Sequence, residues 1–273
     1  MFSRFFSVLF FLFASGLFCQ DIQNNTDKSK IEKNEIQLKP LYEIGEIENN
    51  ALNLIEPILK DKNFEEVFNF FQKLPTKNKN YTSEMLVHKI LKSRLSFKND
   101  SISAEQDRLL FELRVGKLFE MGKFADIENF FAQLPPNLEN EFINIKRIEA
   151  YLLRNEFRNA CSLINEEKVA STFKLGKFDI ICSIIDQEFE KARFNLELLK
   201  ELSIPGDALF IELAYKIMGD IEVSQEELAE KNLENLSNLT PILLSYLQIA
   251  EISPTFKNIK DAPISSLIFI LSS

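Results

Sequence analysis

A thirteen-residue motif occurs twice in the chain, and this repetition constrains the fold more than any other sequence feature. Asn63–Pro75 recurs as Lys123–Pro135, and the two copies share six identical positions. Related cores begin at Phe157 and Phe189, so the aromatics from Phe124 onward are spaced about 33 residues apart. Each core has an apolar side chain three residues after its aromatic, so both side chains lie on one helix face. The spacing predicts a series of similar helical units that pack against one another.

The composition, together with the positions of glycine and capping residues, favours helices in the same region. The 273 residues include only 7 glycines and 9 prolines, and Val and Thr are sparse beside Leu, Glu and Lys. The apolar spacing over Thr82–Leu95 predicts one helix. Ser103 and Gln106 form a capping-box pattern for another, which we expect to end at Met121 because Gly122 follows. The next helix begins at once, so the two must form an antiparallel hairpin.

The hairpin pattern resembles the tetratricopeptide repeat over approximately residues 60–200. The shared features are a period of about 34 residues and a Gly-x-aromatic turn, here Gly122-Lys123-Phe124. The resemblance implies an all-α fold in which antiparallel helix hairpins stack into a right-handed α-solenoid with a concave groove. The motif is degenerate, because only Gly122 supplies the expected turn glycine. A generic helical bundle is the alternative.

Three stretches also resemble exported alphaproteobacterial proteins, some of which carry a misleading antifreeze-type name. They are Leu113–Gly122, Ala150–Cys161 together with Cys182, and Thr240–Ala250. No activity is established for that family, so the resemblance implies none for this chain. Because further helices are expected there after the last stretch, we expect the helical-repeat domain, residues 41–273, to be truncated or shortened at its C-terminus.

The first forty residues predict export followed by a linker. Arg4 precedes an uncharged run from Phe5 to Phe18, which is typical of a signal peptide spanning residues 1–19. The run is too short for a comfortable membrane span, although retention as an anchor and lipidation of Cys19 are alternatives. Residues 20–40 contain few apolar side chains, which predicts a disordered linker. We therefore expect a periplasmic or secreted protein without a membrane span after cleavage.

Charge and motif content argue against several functional classes. The formal net charge is −9, and basic residues are interleaved with acidic ones, which disfavours a nucleic-acid partner. The sequence contains no Gly-x-Ser-x-Gly elbow and no glycine-rich phosphate loop. His88 is the sole histidine, and its position predicts a solvated side chain on the polar side of a helix. We expect no cofactor, no metal site and no enzymatic activity.

Two cysteines remain once the signal peptide is removed. Cys161 lies on the predicted second helix of one hairpin and Cys182 on the first helix of the next. The midpoint between them falls at Ser171-Thr172, so a chain that turns there brings the two sulfurs to the same height. Export to an oxidising compartment favours a disulfide, and the alternative is two small buried apolar residues.

Arg114 is a charged residue in an apolar stretch. Its neighbours include Leu110, Val115 and Leu118. It is a candidate anchor for an acidic group of a partner bound in the groove. The alternatives are that its side chain reaches the surface or pairs with a glutamate of the same chain.

These features predict a non-enzymatic helical-repeat protein that binds an unknown protein or peptide in its groove or along its convex face. The alternative is a helical scaffold portion of a larger cell-envelope enzyme, such as a cell-wall-cleaving enzyme, whose catalytic domain lies outside this chain. The sequence leaves the partner and the oligomeric state open.

Overall fold

The computed structural model describes residues 40–46, 55, 59, 61–77, 80–97, 102–135, 138, 141–166, 173–204, 206–222, 239–252 and 262–272. All of them belong to one unit, Leu38–Ser273. The predicted signal peptide, and the predicted linker apart from Pro40, lie outside the described residues.

The described ranges contain eleven α-helices and no β-strand, which confirms the all-α class. A 3-10 turn, Leu41–Glu43, precedes them. The helices are α1 Phe64–Lys73, α2 Tyr81–Lys92, α3 Ala104–Glu120, α4 Phe124–Phe131, α5 Glu141–Leu153, α6 Phe157–Glu166, α7 Phe173–Ile185, α8 Phe189–Glu201, α9 Ala208–Ile217, α10 Pro241–Ile249 and α11 Ile264–Ser272. Within the described part of the chain, no helix combines the length and apolarity that crossing a bilayer requires.

Local capping sets the start of α3 where the sequence predicts it. The Ser103 hydroxyl accepts from the Gln106 N–H while the Gln106 side chain accepts from the Ser103 N–H, so the predicted capping box is confirmed. Helix α2 differs from its predicted bounds, because it begins at Tyr81 and ends at Lys92. It stops early because the next residues pair with a distant segment: the Leu95 N–H donates to the Tyr42 carbonyl.

One type of turn closes five helices at nearly equal intervals. A residue with positive φ stands at Gly122, Asn155, Gln187, Gly219 and Glu251, so the turn recurs about every 32 residues. At each, the next N–H bonds to the carbonyl five residues before it, as from Lys123 to Leu118. This pattern is the Schellman motif, which satisfies the last carbonyls of a helix and reverses the chain. Three of the five turn residues are not glycine, so the recurrence is hidden in the sequence.

The chain folds back over its own helices at the C-terminal end. Within the hairpins, α3 packs on α4, α5 on α6, and α7 on α8. Helix α10 packs on α5, α7 and α9, and α11 packs on α3 and α5. The face shared by the first helices of the hairpins is therefore occupied by α10 and α11.

A buried clasp holds the N-terminal segment 40–46 against α3. The Asp107 carboxylate accepts from the backbone N–H groups of Leu41 and Tyr42, each at 2.7 Å. Arg114, two turns along α3, is fully buried and donates to the carbonyls of Leu91 at 3.0 Å and Ser93 at 2.6 Å. Its guanidinium also lies over the Phe130 ring, 4.8 Å from the centroid. One buried cation thus ties the end of α2 to α3 and α4.

Burial shifts the pKa values of the two charged residues of the clasp in opposite directions. Burial lowers the pKa of Arg114 to about 9, although the nearby Asp107 carboxylate partly opposes this shift. Burial also raises the pKa of Asp107, against the lowering effect of its two backbone hydrogen bonds. Arg114 therefore remains a cation at neutral pH, and its charge is offset by carbonyl dipoles and one carboxylate.

We expect Arg114→Met to lower the free energy of unfolding by about 3 kcal/mol, because it leaves buried carbonyls without a donor and Asp107 without its cation. Urea denaturation followed by circular dichroism measures this loss. Arg108→Met is the matched control on α3, because Arg108 is exposed and pairs only with Glu105 and Glu112. It should cost less than about 1 kcal/mol. Equal effects of the two substitutions would contradict the assignment of the clasp.

Candidate functional site

A cleft of about 460 Å³ opens between α4, α5 and α6. Its walls combine aromatic, aliphatic, charged and amide side chains. The lining residues are Glu128, Phe131, Ala132, Arg147, Tyr151, Asn159, Ser162 and Leu163. Two successive hairpins contribute to it, α3–α4 from one side and α5–α6 from the other. The cleft therefore exists only because the two hairpins pack together.

A network of charged side chains forms one rim of the cleft. Arg154 donates to Glu128 at 2.6 Å and makes a two-point contact with Glu156 at 2.7 and 2.8 Å. Glu156 also accepts from the Asn159 amide at 2.9 Å. The Arg154 hydrogen bonds lower the pKa of Glu156, so this carboxylate is ionised at neutral pH. The turn between α5 and α6 thereby fixes both Glu128 and Asn159.

The contacts of this rim leave two side chains of the cleft, Glu128 and Asn159, with an oxygen atom that can accept a hydrogen bond. Glu128 uses one carboxylate oxygen, Oε1, for Arg154, and its side chain is 41% exposed. Asn159 is exposed and uses its amide nitrogen for Glu156, so its carbonyl oxygen is left as an acceptor. Such groups suit the N–H donors of a peptide backbone or side chain.

Contacts between aromatic rings and guanidinium groups hold some of the side chains at the cleft in place. The Arg147 guanidinium lies 5.4 Å from the centroid of the Phe131 ring, and Arg154 lies at the same distance from the Tyr151 ring. Phe131 is buried, whereas Tyr151 is half-buried. These contacts restrict the side chains before any ligand arrives, which reduces the entropy cost of binding.

Cys161 and Cys182 lie beside this cleft at disulfide distance, as predicted. Their sulfurs are 2.08 Å apart, and their Cα atoms are 5.5 Å apart. Cys161 precedes the cleft residue Ser162 on α6, and Cys182 lies on α7. The bridge therefore joins the cleft helix α6 to the following hairpin.

Two sequence predictions about single residues are corrected by the structure. Arg114 does not face a groove, since it is fully buried and bonded to carbonyls of its own chain. His88 is not solvated: its Nε2 atom lies 2.7 Å from Asp126 Oδ2, and both side chains are more than four-fifths buried. The polar side of α2 faces the first turn of α4, so tertiary packing covers a surface that the helix pattern predicts to be exposed.

The sequence did not identify any cleft residue as a ligand contact: it predicted Phe131 to be a core residue, and one local signal near the cleft went unused. Asn155 stands where Gly122 stands in the preceding hairpin, and it is flanked by Arg154 and Glu156. A turn with a cation before it and an anion after it could have suggested a bridge to the neighbouring hairpin. Among the described residues, no group of three His, Cys, Asp or Glu side chains is arranged to hold a metal ion.

Reduction of the disulfide should destabilise the protein by about 3 kcal/mol, because the bridge closes a loop of 21 residues. Urea denaturation with and without reductant measures the difference. The double variant Cys161→Ser/Cys182→Ser is the control and should not respond to reductant. Full alkylation of both thiols in oxidised, folded protein would show that the bridge does not form.

Asp126→Asn should lower the free energy of unfolding by about 1 kcal/mol at pH 7. The hydrogen bond from His88, followed by nearby positive charges, holds the pKa of Asp126 below its usual value of 3.8. A lowered acid pKa contributes stability that is present above the unfolded pKa and is lost as the pH falls through the folded one. The difference between variant and wild type should therefore begin to shrink near pH 4 and should disappear only below the folded pKa of Asp126, which lies below 3.8. Urea titrations between pH 7 and pH 3 test this, and a pH-independent difference would contradict it.

No known protein family, curated protein or solved structure matches the chain.

Proposed function

We propose that this chain is an exported, non-enzymatic helical-repeat protein that binds a segment of another protein in the cleft between α4, α5 and α6. The signal-peptide pattern of residues 1–19 supports a periplasmic or secreted location. The charge of −9 supports a protein partner over a nucleic acid.

The spacing of the turns supports the repeat architecture. Five Schellman turns at intervals of about 32 residues are what stacked helix hairpins require, because each hairpin must present the same faces to its neighbours. The series extends past Leu202 to Glu251, beyond the region where the sequence motif is visible. This regularity supports an α-solenoid related to tetratricopeptide arrays over helices α3–α9, whereas α10 departs from neighbour-only stacking because it packs on α5 and α7 as well as on α9.

The cleft is the observation that carries the proposal. It is large enough for two or three side chains, and its acceptors and aromatic rings suit a polypeptide more than a purely apolar ligand. The face shared by α3, α5, α7 and α9 is less suitable, because α10 and α11 already pack on it. The described lining of the cleft comes instead from α4, α5 and α6.

Site-specific photo-crosslinking in the native envelope tests this function. A photoreactive residue at Asn159, which is exposed at the cleft, should give discrete adducts with one or a few proteins. Glu190 on α8, whose side chain is 93% exposed, is the control position and should not give the same adducts. Identical adducts at both positions, or adducts at Glu190 alone, would argue against the cleft.

The partner captured at Asn159 then allows an affinity measurement. Tyr151→Ala should weaken binding at least about tenfold, because an aromatic anchor is removed from the centre of the site. Tyr215→Ala is the matched control, since Tyr215 is a half-buried tyrosine on α9 that bonds to Glu197 and Lys200. If the Tyr151→Ala variant bound the captured protein with unchanged affinity, that protein would not bind in the cleft.

A further inference from the structure

One end of the cleft carries an excess of negative charge. Glu128 and Glu156 both accept hydrogen bonds from Arg154, so two carboxylates share a single guanidinium. Two negative charges and one positive charge leave this group of side chains with a formal charge of −1. A cation is therefore attracted to this end of the cleft.

Two oxygen atoms at this end are left to accept hydrogen bonds from such a cation. Arg154 occupies Oε1 of Glu128, which leaves Oε2. The Asn159 amide nitrogen donates to Glu156, so the amide is oriented and its carbonyl oxygen remains an acceptor. Glu128 and Asn159 both line the cleft. Because the Arg154 network already restricts both side chains, little of their entropy is lost when a ligand binds.

The positive charge of the cleft lies in a different place. The Arg147 guanidinium lies 5.4 Å from the centroid of the Phe131 ring. Arg147 precedes Arg154 by seven residues, which corresponds to about 10 Å along the direction of α5. The cleft is therefore polarised, with hydrogen-bond acceptors at the Arg154 end and a cation at the Arg147 end.

Apolar surface lies next to the acceptors. Tyr151 contacts Arg154, and Leu163 follows Asn159 by one turn of α6. Both side chains line the cleft and are half-buried. Lysine and arginine combine a long aliphatic stem with a terminal cation, so the stem matches this apolar surface and the cation matches the acceptors. The net charge of −9 adds a long-range attraction for basic groups.

We propose that the cleft recognises a lysine or arginine side chain in the protein segment that it binds, an inference that rests on the function proposed above. The terminal cation donates to Glu128 and Asn159, and the aliphatic stem packs against Tyr151 and Leu163. Hydrogen bonds from a cation to a carboxylate are stronger than those between neutral groups, so this contact selects basic segments over neutral ones.

Nuclear magnetic resonance titration of the isotope-labelled protein tests this with three small probes. They are the amides of N-acetylarginine, of N-acetylcitrulline, which is its neutral isostere, and of N-acetylglutamate. The arginine probe should shift the signals of the Asn159 side-chain amide and bind at least about fivefold more tightly than the citrulline probe, because only the former carries a charge. Equal affinities, tighter binding of the glutamate probe, or no binding of the arginine probe would overturn the proposal.

A charge-removing variant identifies the carboxylate responsible. Glu128→Gln keeps the shape of the side chain, so it should weaken binding of the arginine probe about fivefold and leave the citrulline probe unaffected. Glu190→Gln on α8 is the matched control, since Glu190 is 93% exposed, pairs with Arg193 and does not line the cleft. It removes the same charge from the chain and should leave both affinities unchanged. Equal losses in the two variants would show a nonspecific charge effect and overturn the proposal.

The protein captured by photo-crosslinking at Asn159 separates failure of the basic contact from failure of the cleft. The segment attached to Asn159 should contain a lysine or arginine within about three residues of the crosslink, a span of about 10 Å. A discrete partner whose attached segment has no basic residue would overturn the basic contact and leave the cleft function intact. A segment of a second copy of this chain would also overturn it. Adducts at Glu190 alone would overturn the cleft function and the basic contact together.

Discussion

The Schellman turn after the first helix of each hairpin is the constraint on which the rest of the structure depends. It satisfies carbonyl groups that would otherwise be left without donors and sends the chain back along the helix it has just completed. The turn recurs about every 32 residues, α3 packs beside α5 and α7 beside α9, and the buried apolar side chains form one continuous core.

The C-terminal helices cover part of this array. The first helices of the hairpins form a row, and such a row would offer an open surface if the chain stopped after α9. Helices α10 and α11 instead lie on it. The described lining of the cleft comes from α4, α5 and α6 and not from α10 or α11.

Arg114 and His88 show most clearly where a local sequence pattern fails to predict the environment of a side chain. Arg114 has the neighbours of a buried residue, and the structure buries it, but its partners are three backbone carbonyls rather than a glutamate or a ligand. His88 has the neighbours of a solvated residue, and the structure covers it with Asp126 from α4. In both cases the deciding partner belongs to a different segment of the chain. Helix periodicity reports the face of a residue but not what packs against that face.

The sequence by itself determined the helical class, the capping box at Ser103, the hairpin at Gly122 and the pairing distance of Cys161 and Cys182. Each of these follows from local propensity or from counting residues about a turn. Only the tertiary structure decided that Asn155, Gln187 and Glu251 would adopt positive φ, because hydrogen bonding and packing there outweigh a local cost of about 1 kcal/mol. It also decided the cleft and the clasp. Both join residues that are far apart in the sequence, and packing of the whole array sets their proximity.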